Sequence, residues 1–144
     1  MTSAFRRAIA AHLSRYEHLL EIGIGDRPGV AQLLSADASV ESVTAVDVHD
    51  RSVPEGIEFV RDDVVAIARA ENPPARYHVD AIYGLNLPAE LQRPAATIAR
   101  TVNADLLFTT LGFESPVFPV DRITLEAGTL FVVRRRPEAR SVDE

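Results

Sequence analysis

The sequence contains no cysteine and no lysine, and no apolar run approaches membrane-spanning length. Without cysteine the chain has no disulfide, no thiolate metal ligand and no cysteine nucleophile, which fits a reducing cytoplasm. All 15 basic residues are arginine, acidic residues number 21, and the net charge is -6. This acidic balance disfavours a nucleic-acid partner, because a phosphate backbone repels a negative surface. We therefore expect a cytoplasmic protein without a membrane partner.

The length and composition fit one globular domain. The chain has 144 residues, 47% of them hydrophobic, which is enough apolar material for a core. We expect a single domain over residues 1–136. Residues 137–144 have nothing to bury, so a flexible tail is expected there.

Five apolar runs of strand length alternate with segments that favour helices. The runs are HLLEIGI (18–24), SVTAVDV (42–48), GIEFV (56–60), HVDAIYG (78–84) and ADLLFTT (104–110). Alternation of this kind favours a parallel sheet covered on both faces. The last segment has two β-rich runs around Ala127 and Gly128, which indicates an antiparallel hairpin. We predict an α/β fold with a Rossmann-like, doubly wound and mainly parallel sheet of order 3-2-1-4-5, followed by a C-terminal β-hairpin.

Two helices are marked by prolines. The helix after the first strand is expected to have Pro28 in its first turn and Val30, Leu33 and Leu34 on its buried face. The helix before the fifth strand is expected to begin near Pro94, after a short turn, because proline disrupts a helix interior.

Glu21, Gly23 and Gly25 lie where the first strand should turn into a helix. At this position a ligand can approach the backbone only where side chains are absent, and the helix N-terminus favours an anion. Glycines in such a turn can also serve chain geometry alone. The position of Asp47 favours the ligand-binding interpretation, because it falls at the tip of the second strand, where an acid can accept both hydroxyls of a ribose. It can also be a simple turn former.

The spacing of the glycines and the position of Glu21 distinguish between cofactors. A dinucleotide fingerprint needs a third glycine where Pro28 stands, and Gly29 comes one residue late. An acid two residues before Gly23 would repel a pyrophosphate but attract the ammonium group of a methionine moiety. The pattern therefore favours S-adenosylmethionine over NAD or FAD.

The series LLEIGIG, an acid closing the second strand, and FVRDDV after the third resembles the class I S-adenosylmethionine-dependent methyltransferases over residues 18–110. The whole chain is also similar to a small archaeal family of uncharacterised Rossmann-like proteins, through the glycine loop, the segment IYGLNLPAELQRP and the hairpin. The resemblance implies that Glu21, Gly23 and Gly25 surround the methionine end of the cofactor. It implies that Asp47 binds the ribose.

Further cofactor and acceptor contacts follow from the same resemblance. It implies that Asp63 binds the adenine amino group, with Asp62 as the neighbour that can serve instead; either can cap the following helix. On the acceptor side it points to Asn86 and Pro88 in GLNLP. We favour the alternative that Asn86 caps a helix whose first turn contains Pro88. His49 can stack near the adenine or be an exposed loop residue, and we favour the latter. No catalytic residue is identified, and no metal site is expected, because no two histidines have ligand spacing with an acid nearby.

The loop LGFESPVFP, residues 111–119, carries Phe113, Glu114 and Phe118 beyond the fifth strand. It can line a pocket for a methyl acceptor, or its aromatics can pack under the hairpin. A chain of this size leaves little room for a substrate domain. Any acceptor pocket must be small, or shared with a second copy of the chain or another protein partner.

The sequence thus predicts a Rossmann-like methyltransferase-type domain that binds S-adenosylmethionine, with methyl transfer to an unidentified acceptor as the leading function. The alternative is a non-catalytic cofactor-binding or regulatory module, because no acceptor-side residue is decisive. A nicotinamide-dependent oxidoreductase is disfavoured by Pro28 and Glu21.

Overall fold

A seven-stranded sheet forms the centre of the computed structural model, which describes residues 1–137. Its strands in chain order are β1 (His18–Ile22), β2 (Ser42–Asp47), β3 (Glu58–Arg61), β4 (Ala81–Gly84), β5 (Asp105–Phe108), β6 (Asp121–Leu125) and β7 (Gly128–Val133). The spatial order is β3-β2-β1-β4-β5-β7-β6, parallel from β3 to β5 and antiparallel at β7 and β6. This confirms the predicted order and the appended hairpin. From residue 138 onward, the predicted tail lies outside the described residues.

Helices cover both faces of the sheet. They are α1 (Ser3–Leu13), α2 (Gly29–Ser35), α3 (Val64–Arg69) and α4 (Ala89–Val102), and a short 3-10 turn spans Ala75–Tyr77. Because successive side chains of a strand point to opposite faces, Leu19 joins the core under α1 and α2 and Leu20 joins the core under α3 and α4. Among the described residues, no helix is long and apolar enough to cross a membrane.

Helix α2 is shorter than its apolar pattern suggests. Pro28 stands immediately before it, and Val30, Ala31 and Leu34 are buried. Leu33 is 44% exposed, so the prediction that it faces inward was wrong. Seven residues make only two turns, and the narrow face that meets the sheet does not reach position 33.

Helix α4 begins at Ala89, well before the predicted start at Pro94. Pro94 lies inside the helix, where its ring nitrogen cannot donate to the carbonyl of Glu90. The burial of Ala95 and Ile98 in the core under α4 stabilises the helix despite that lost bond. Tertiary packing here overrides the local proline signal.

Candidate functional site

The glycine loop crosses the carboxyl ends of β1 and β2. Gly23 and Gly25 have φ angles of +71° and +58°, a left-handed conformation that glycine adopts without steric cost. The Gly23 N–H donates to the carbonyl of Val46 at 2.8 Å, which ties the loop to β2. A Cβ at either glycine would meet no atom within 4 Å. The backbone conformation requires glycine, and the space above the loop is open to a ligand.

Glu21 is a buried acid beneath this loop. It is 1% exposed, and the phenol of Tyr83 on β4 donates to its Oε1 at 2.7 Å. Burial raises the pKa of Glu21 to about 8, and the hydrogen bond from Tyr83 offsets only part of the effect. The carboxyl is therefore mostly protonated at pH 7. A cation bound beside it would favour the ionised form.

A cavity of about 190 Å³ connects Glu21 with the glycine loop and with the segment after β4. Its lining comprises Met1, Arg6, Glu21, Gly23, Ile24, Gly25, Asp26, Arg27, Leu85 and Asn86. Four of the residues predicted from sequence, Glu21, Gly23, Gly25 and Asn86, thus meet at one place. The volume is below the roughly 300–1,000 Å³ of pockets that enclose a whole drug-sized ligand, so this cavity fits one end of a nucleoside cofactor.

Asp47 lies at the end of β2, as expected, but it does not line this cavity. Its Oδ2 accepts the Gly25 N–H at 2.8 Å, and its Oδ1 accepts the N–H of His49 at 2.9 Å. Burial alone would raise the pKa of Asp47, but these bonds and Arg51, whose Nε lies 3.6 Å from Oδ2, hold it below its usual value. Asp47 is therefore ionised and fixes the glycine loop. Each oxygen retains a lone pair for another donor. The side chain of His49 is exposed, as interpreted from sequence.

The two aspartates after β3 have different partners. Asp63 caps α3, because its Oδ1 accepts the Val65 N–H at 3.0 Å. Asp62 accepts two hydrogen bonds from Arg76, at 2.8 and 3.0 Å, and a third from the phenol of Tyr77 at 2.8 Å. The hydrogen bonds of Asp62 hold the 3-10 turn and occupy both of its carboxylate oxygens. The helix cap occupies only one oxygen of Asp63, so the other is free to accept a hydrogen bond.

Asn86 does not cap α4, contrary to the favoured interpretation. Pro88 occupies the cap position, without a side-chain hydrogen bond. Asn86 has a φ of +51°, which asparagine tolerates better than most residues, and its N–H donates to Oγ1 of Thr109 at 2.8 Å. Asn86 also lines the cavity that Glu21 reaches. The left-handed backbone conformation of Asn86 is incompatible with the cap geometry. Pro88, the other residue predicted on the acceptor side, does not line that cavity.

The three residues singled out in the loop after β5 have two different roles: one packs in the core, and two line a second cavity. Phe118 packs edge-on against Phe108, with 6.1 Å between ring centroids. Phe113 is fully exposed, and with Glu114 it lines a cavity of about 470 Å³ between the loop and the hairpin turn. Thr109 also lines this second cavity, so its bond to the Asn86 N–H lies between the two cavities.

Three residues of this region were not predicted from the sequence. Gln92 is buried; its Nε2 donates to the Leu87 carbonyl at 3.1 Å, and its Oε1 accepts the Val117 N–H at 2.9 Å. The sequence feature that could have identified Gln92 is the presence of a polar residue on the inner face of α4. Tyr83 could have been found only from the register that pairs it with Glu21. Arg6 gave no signal, because arginine is common on solvated helix faces.

A family model described as an uncharacterised protein family (UPF0146) matches residues 4–136. A UPF0146 protein of Halobacterium salinarum is 43% identical over 127 residues, which cover 88% of this chain and 94% of the relative. These matches confirm the resemblance to a small archaeal family.

Two solved structures resemble the fold across nearly the whole chain. An RNA methyltransferase from Salinibacter ruber, in complex with S-adenosyl-L-homocysteine, has a TM-score of 0.60 at 13% identity, with 99% of this chain and 97% of that chain covered. A putative tRNA (m1A22) methyltransferase of Streptococcus pneumoniae has a TM-score of 0.60 at 17% identity, with 99% and 74% covered. At these identities the likeness shows the fold alone, and the predicted Rossmann-like, methyltransferase-type fold is confirmed.

Proposed function

Because the chain belongs to the uncharacterised protein family UPF0146 and has the fold of S-adenosylmethionine-dependent methyltransferases, we propose that it binds S-adenosylmethionine and transfers the methyl group to a small acceptor. The proposed cofactor site lies at the carboxyl ends of β1, β2 and β3. The proposed acceptor site lies beyond β4 and β5, where Asn86 lines the first cavity and its hydrogen-bond partner Thr109 lines the second.

The observation that carries this proposal is the buried carboxyl of Glu21 at the cavity. No cation among residues 1–137 lies within ion-pair distance of it. An acid that is buried without an opposite charge gives up its ionised form and keeps only the bond from Tyr83, so an amide or apolar side chain would serve a purely structural role better. The ammonium of a methionine moiety would supply the missing charge. A pyrophosphate would supply no positive charge and would disfavour the ionised form of Glu21, which disfavours a dinucleotide.

The remaining contacts follow from the partners already described. The open space over Gly23 and Gly25 lets the amino-acid end approach the backbone. Asp47 accepts the ribose hydroxyls with its remaining lone pairs while it holds the loop. Asp63 binds the adenine with the carboxylate oxygen that the cap leaves free, and Asp62 stays with Arg76.

Methyl transfer requires that an acceptor be held in line with the donor. S-adenosylmethionine, when bound, supplies an electrophilic methyl group and leaves as S-adenosylhomocysteine. The second cavity of about 470 Å³ has room for a small acceptor. Thr109 lines this second cavity, and its hydrogen bond from the Asn86 N–H ties the cavity to the segment that lines the first.

A non-catalytic binding module is the second candidate. The described lining of the cavity near Glu21 contains no histidine, and its other acid, Asp26, is exposed. The second cavity, where the acceptor is proposed, has in its described lining only the exposed Glu114 as a candidate general base for a hydroxyl acceptor. A binding module would use the same cofactor site as the proposed methyltransferase but would not convert S-adenosylmethionine to S-adenosylhomocysteine.

Calorimetric titration with S-adenosylmethionine, S-adenosylhomocysteine and NAD tests the cofactor. We expect the first two to bind and NAD not to bind. Glu21→Gln should weaken binding by about tenfold or more, because a charge-assisted contact is lost. Asp26→Asn, which changes an exposed acid on the same rim, should change it little. Binding of NAD alone would overturn the cofactor, and binding without conversion to S-adenosylhomocysteine in cell extract would favour the binding module.

A further inference from the structure

An arginine of the first helix shares a cavity with Glu21. Arg6 and Met1 line it from one side, and Glu21, Gly23 and Asn86 line it from the sheet. We propose that Arg6 binds the carboxylate of the cofactor's amino-acid end, so that α1 and β1 together hold that end as a zwitterion. This inference rests on the function proposed above and adds a residue and a helix to it.

The guanidinium of Arg6 has donors to spare. Nη1 donates to the carbonyl of Met1 at 2.8 Å, and Nη2 donates to Oγ of Ser3 at 3.2 Å. Among the described residues, no carboxylate lies within 4.0 Å of it. Arginine carries five N–H donors in a fork that matches a carboxylate, so three remain for a ligand. The guanidinium of Arg6 therefore has no opposite charge in contact among the described residues.

The position of Arg6 is fixed by its neighbours on α1. Thr2 caps the helix by accepting the Phe5 N–H at 3.0 Å. Phe5 lies against the hairpin so closely that a Cβ at Gly128 would fall 2.5 Å from its ring, and Ile9 is fully buried. The stem of Arg6 passes the start of α2. A side chain placed in this way loses little freedom on binding a ligand.

Charge and size together favour an amino acid as the occupant. An acid and a base that line one small cavity, Glu21 from β1 and Arg6 from α1, complement an ammonium and a carboxylate on one carbon atom. Arg27 also lines the cavity, but it is exposed on the loop, where solvent weakens an ion pair. Arg6 is half-buried, so its contact with a carboxylate is screened less.

Three ligands that differ only at the amino-acid end test the proposal. S-adenosylhomocysteine has both charged groups, decarboxylated S-adenosylhomocysteine keeps only the ammonium, and 5'-methylthioadenosine has neither. Calorimetry with wild type, Arg6→Gln, Arg6→Lys and Arg27→Gln measures each affinity. Arg7→Gln, an exposed neighbour on α1 that does not line the cavity, is the matched control. Thermal unfolding verifies that each variant is folded.

We expect Arg6→Gln to weaken S-adenosylhomocysteine by about ten- to a hundredfold and to leave the other two ligands unchanged. Arg6→Lys should restore part of the affinity. The assignment of Arg6 would be overturned if Arg6→Gln lost affinity equally for all three ligands or lost none. It would also be overturned if Arg27→Gln, and not Arg6→Gln, lost affinity for S-adenosylhomocysteine selectively. If wild type binds methylthioadenosine as tightly as S-adenosylhomocysteine, the zwitterion site fails while the cofactor site stands. If wild type binds none of the three, the proposed function itself fails.

Discussion

Tyr83 lies beside Glu21 across the β1–β4 pair, and its phenol donates a 2.7 Å hydrogen bond to Oε1 of that acid. Both side chains are buried, and loss of water is the main reason that the pKa of each group is raised. At pH 7 the pair is therefore mostly neutral. A cation that enters the cavity should ionise Glu21, which links stability, ligand binding and pH.

Glu21→Gln is expected to stabilise the ligand-free protein at pH 7. The unfolded chain ionises this carboxyl near its ordinary pKa of 4.5, whereas the folded protein keeps the proton until about pH 8. The stability contributed by Glu21 is thus fully present below about pH 4.5 and is lost as pH rises through about 8. Glutamine has no proton to lose and can still accept from Tyr83. We expect about 1–3 kcal/mol more stability than wild type in urea unfolding at about pH 7.

The pH dependence provides the control for this prediction. The difference in stability between Glu21→Gln and wild type should narrow as pH falls toward about 4, where the unfolded wild-type chain also takes up this proton. Tyr83→Phe should lower stability by about 1–3 kcal/mol, because Oε1 of Glu21 loses its donor. A gap that does not change with pH would show that Glu21 does not keep its proton in the folded protein.

Cofactor binding should release a proton below about pH 8. Glu21 is protonated in the free protein, and the ammonium of S-adenosylmethionine favours its ionised form. Affinity should therefore rise with pH up to about pH 8, above which the α-amino group of the ligand itself loses its proton. Titration at about pH 6.5 in two buffers of different ionisation enthalpy counts the protons released. We expect wild type to release close to one proton for each S-adenosylmethionine bound, and Glu21→Gln to release none. Wild type should also release no proton on binding 5'-methylthioadenosine, which lacks the ammonium. A wild-type count near zero would contradict the link between Glu21 and the ligand.

The sheet order could be predicted because each strand carries its own apolar pattern and turn signals. The strand that ends in Glu21 and the hairpin around Gly128 are both local features of this kind. The start of α4 was mispredicted, because burial of Ala95 and Ile98 depends on the assembled core and not on the proline nearby. Local pattern therefore predicts elements better than it predicts their ends.

The candidate site was predictable only where a residue sits beside a strand end. Glu21 and Asn86 meet at one cavity because parallel strands end at the same edge. Arg6 reaches that cavity from α1, through packing that no local pattern indicates. The bonds that Asp47 makes to the glycine loop likewise depend on how β1 and β2 pair.

Asp47→Ala is expected to weaken S-adenosylmethionine binding by about ten- to a hundredfold. The change removes the proposed ribose contact and also frees the N–H groups of Gly25 and His49, which now donate to the carboxylate. Stability should fall by about 1–2 kcal/mol as the loop loses these bonds. His49→Ala, which leaves the backbone N–H in place, should change both quantities little. Calorimetry and urea unfolding of both variants measure the two effects, and equal losses of affinity would show that Asp47 has no special role.

Gly128→Ala should loosen α1 and, through it, the amino-acid end of the site. A Cβ at this position would lie 2.5 to 2.7 Å from three ring atoms of Phe5, so the ring or the helix must move. Overpacking of this kind costs about 1–3 kcal/mol. In the double variant with Phe5→Leu, a smaller side chain should relieve the clash, so its stability loss should be less than the sum of the single losses.

The same variant distinguishes packing from ligand binding. Because Arg6 follows Phe5 on α1, movement of the helix should weaken S-adenosylhomocysteine and leave 5'-methylthioadenosine unchanged. Calorimetry of Gly128→Ala with both ligands measures ligand binding, and urea unfolding of Gly128→Ala, Phe5→Leu and the double variant measures stability. If stability falls while both affinities stay at wild-type values, α1 is held by the hairpin without contributing to the position of Arg6. If both affinities fall together, the strain has spread from the hairpin to the glycine loop.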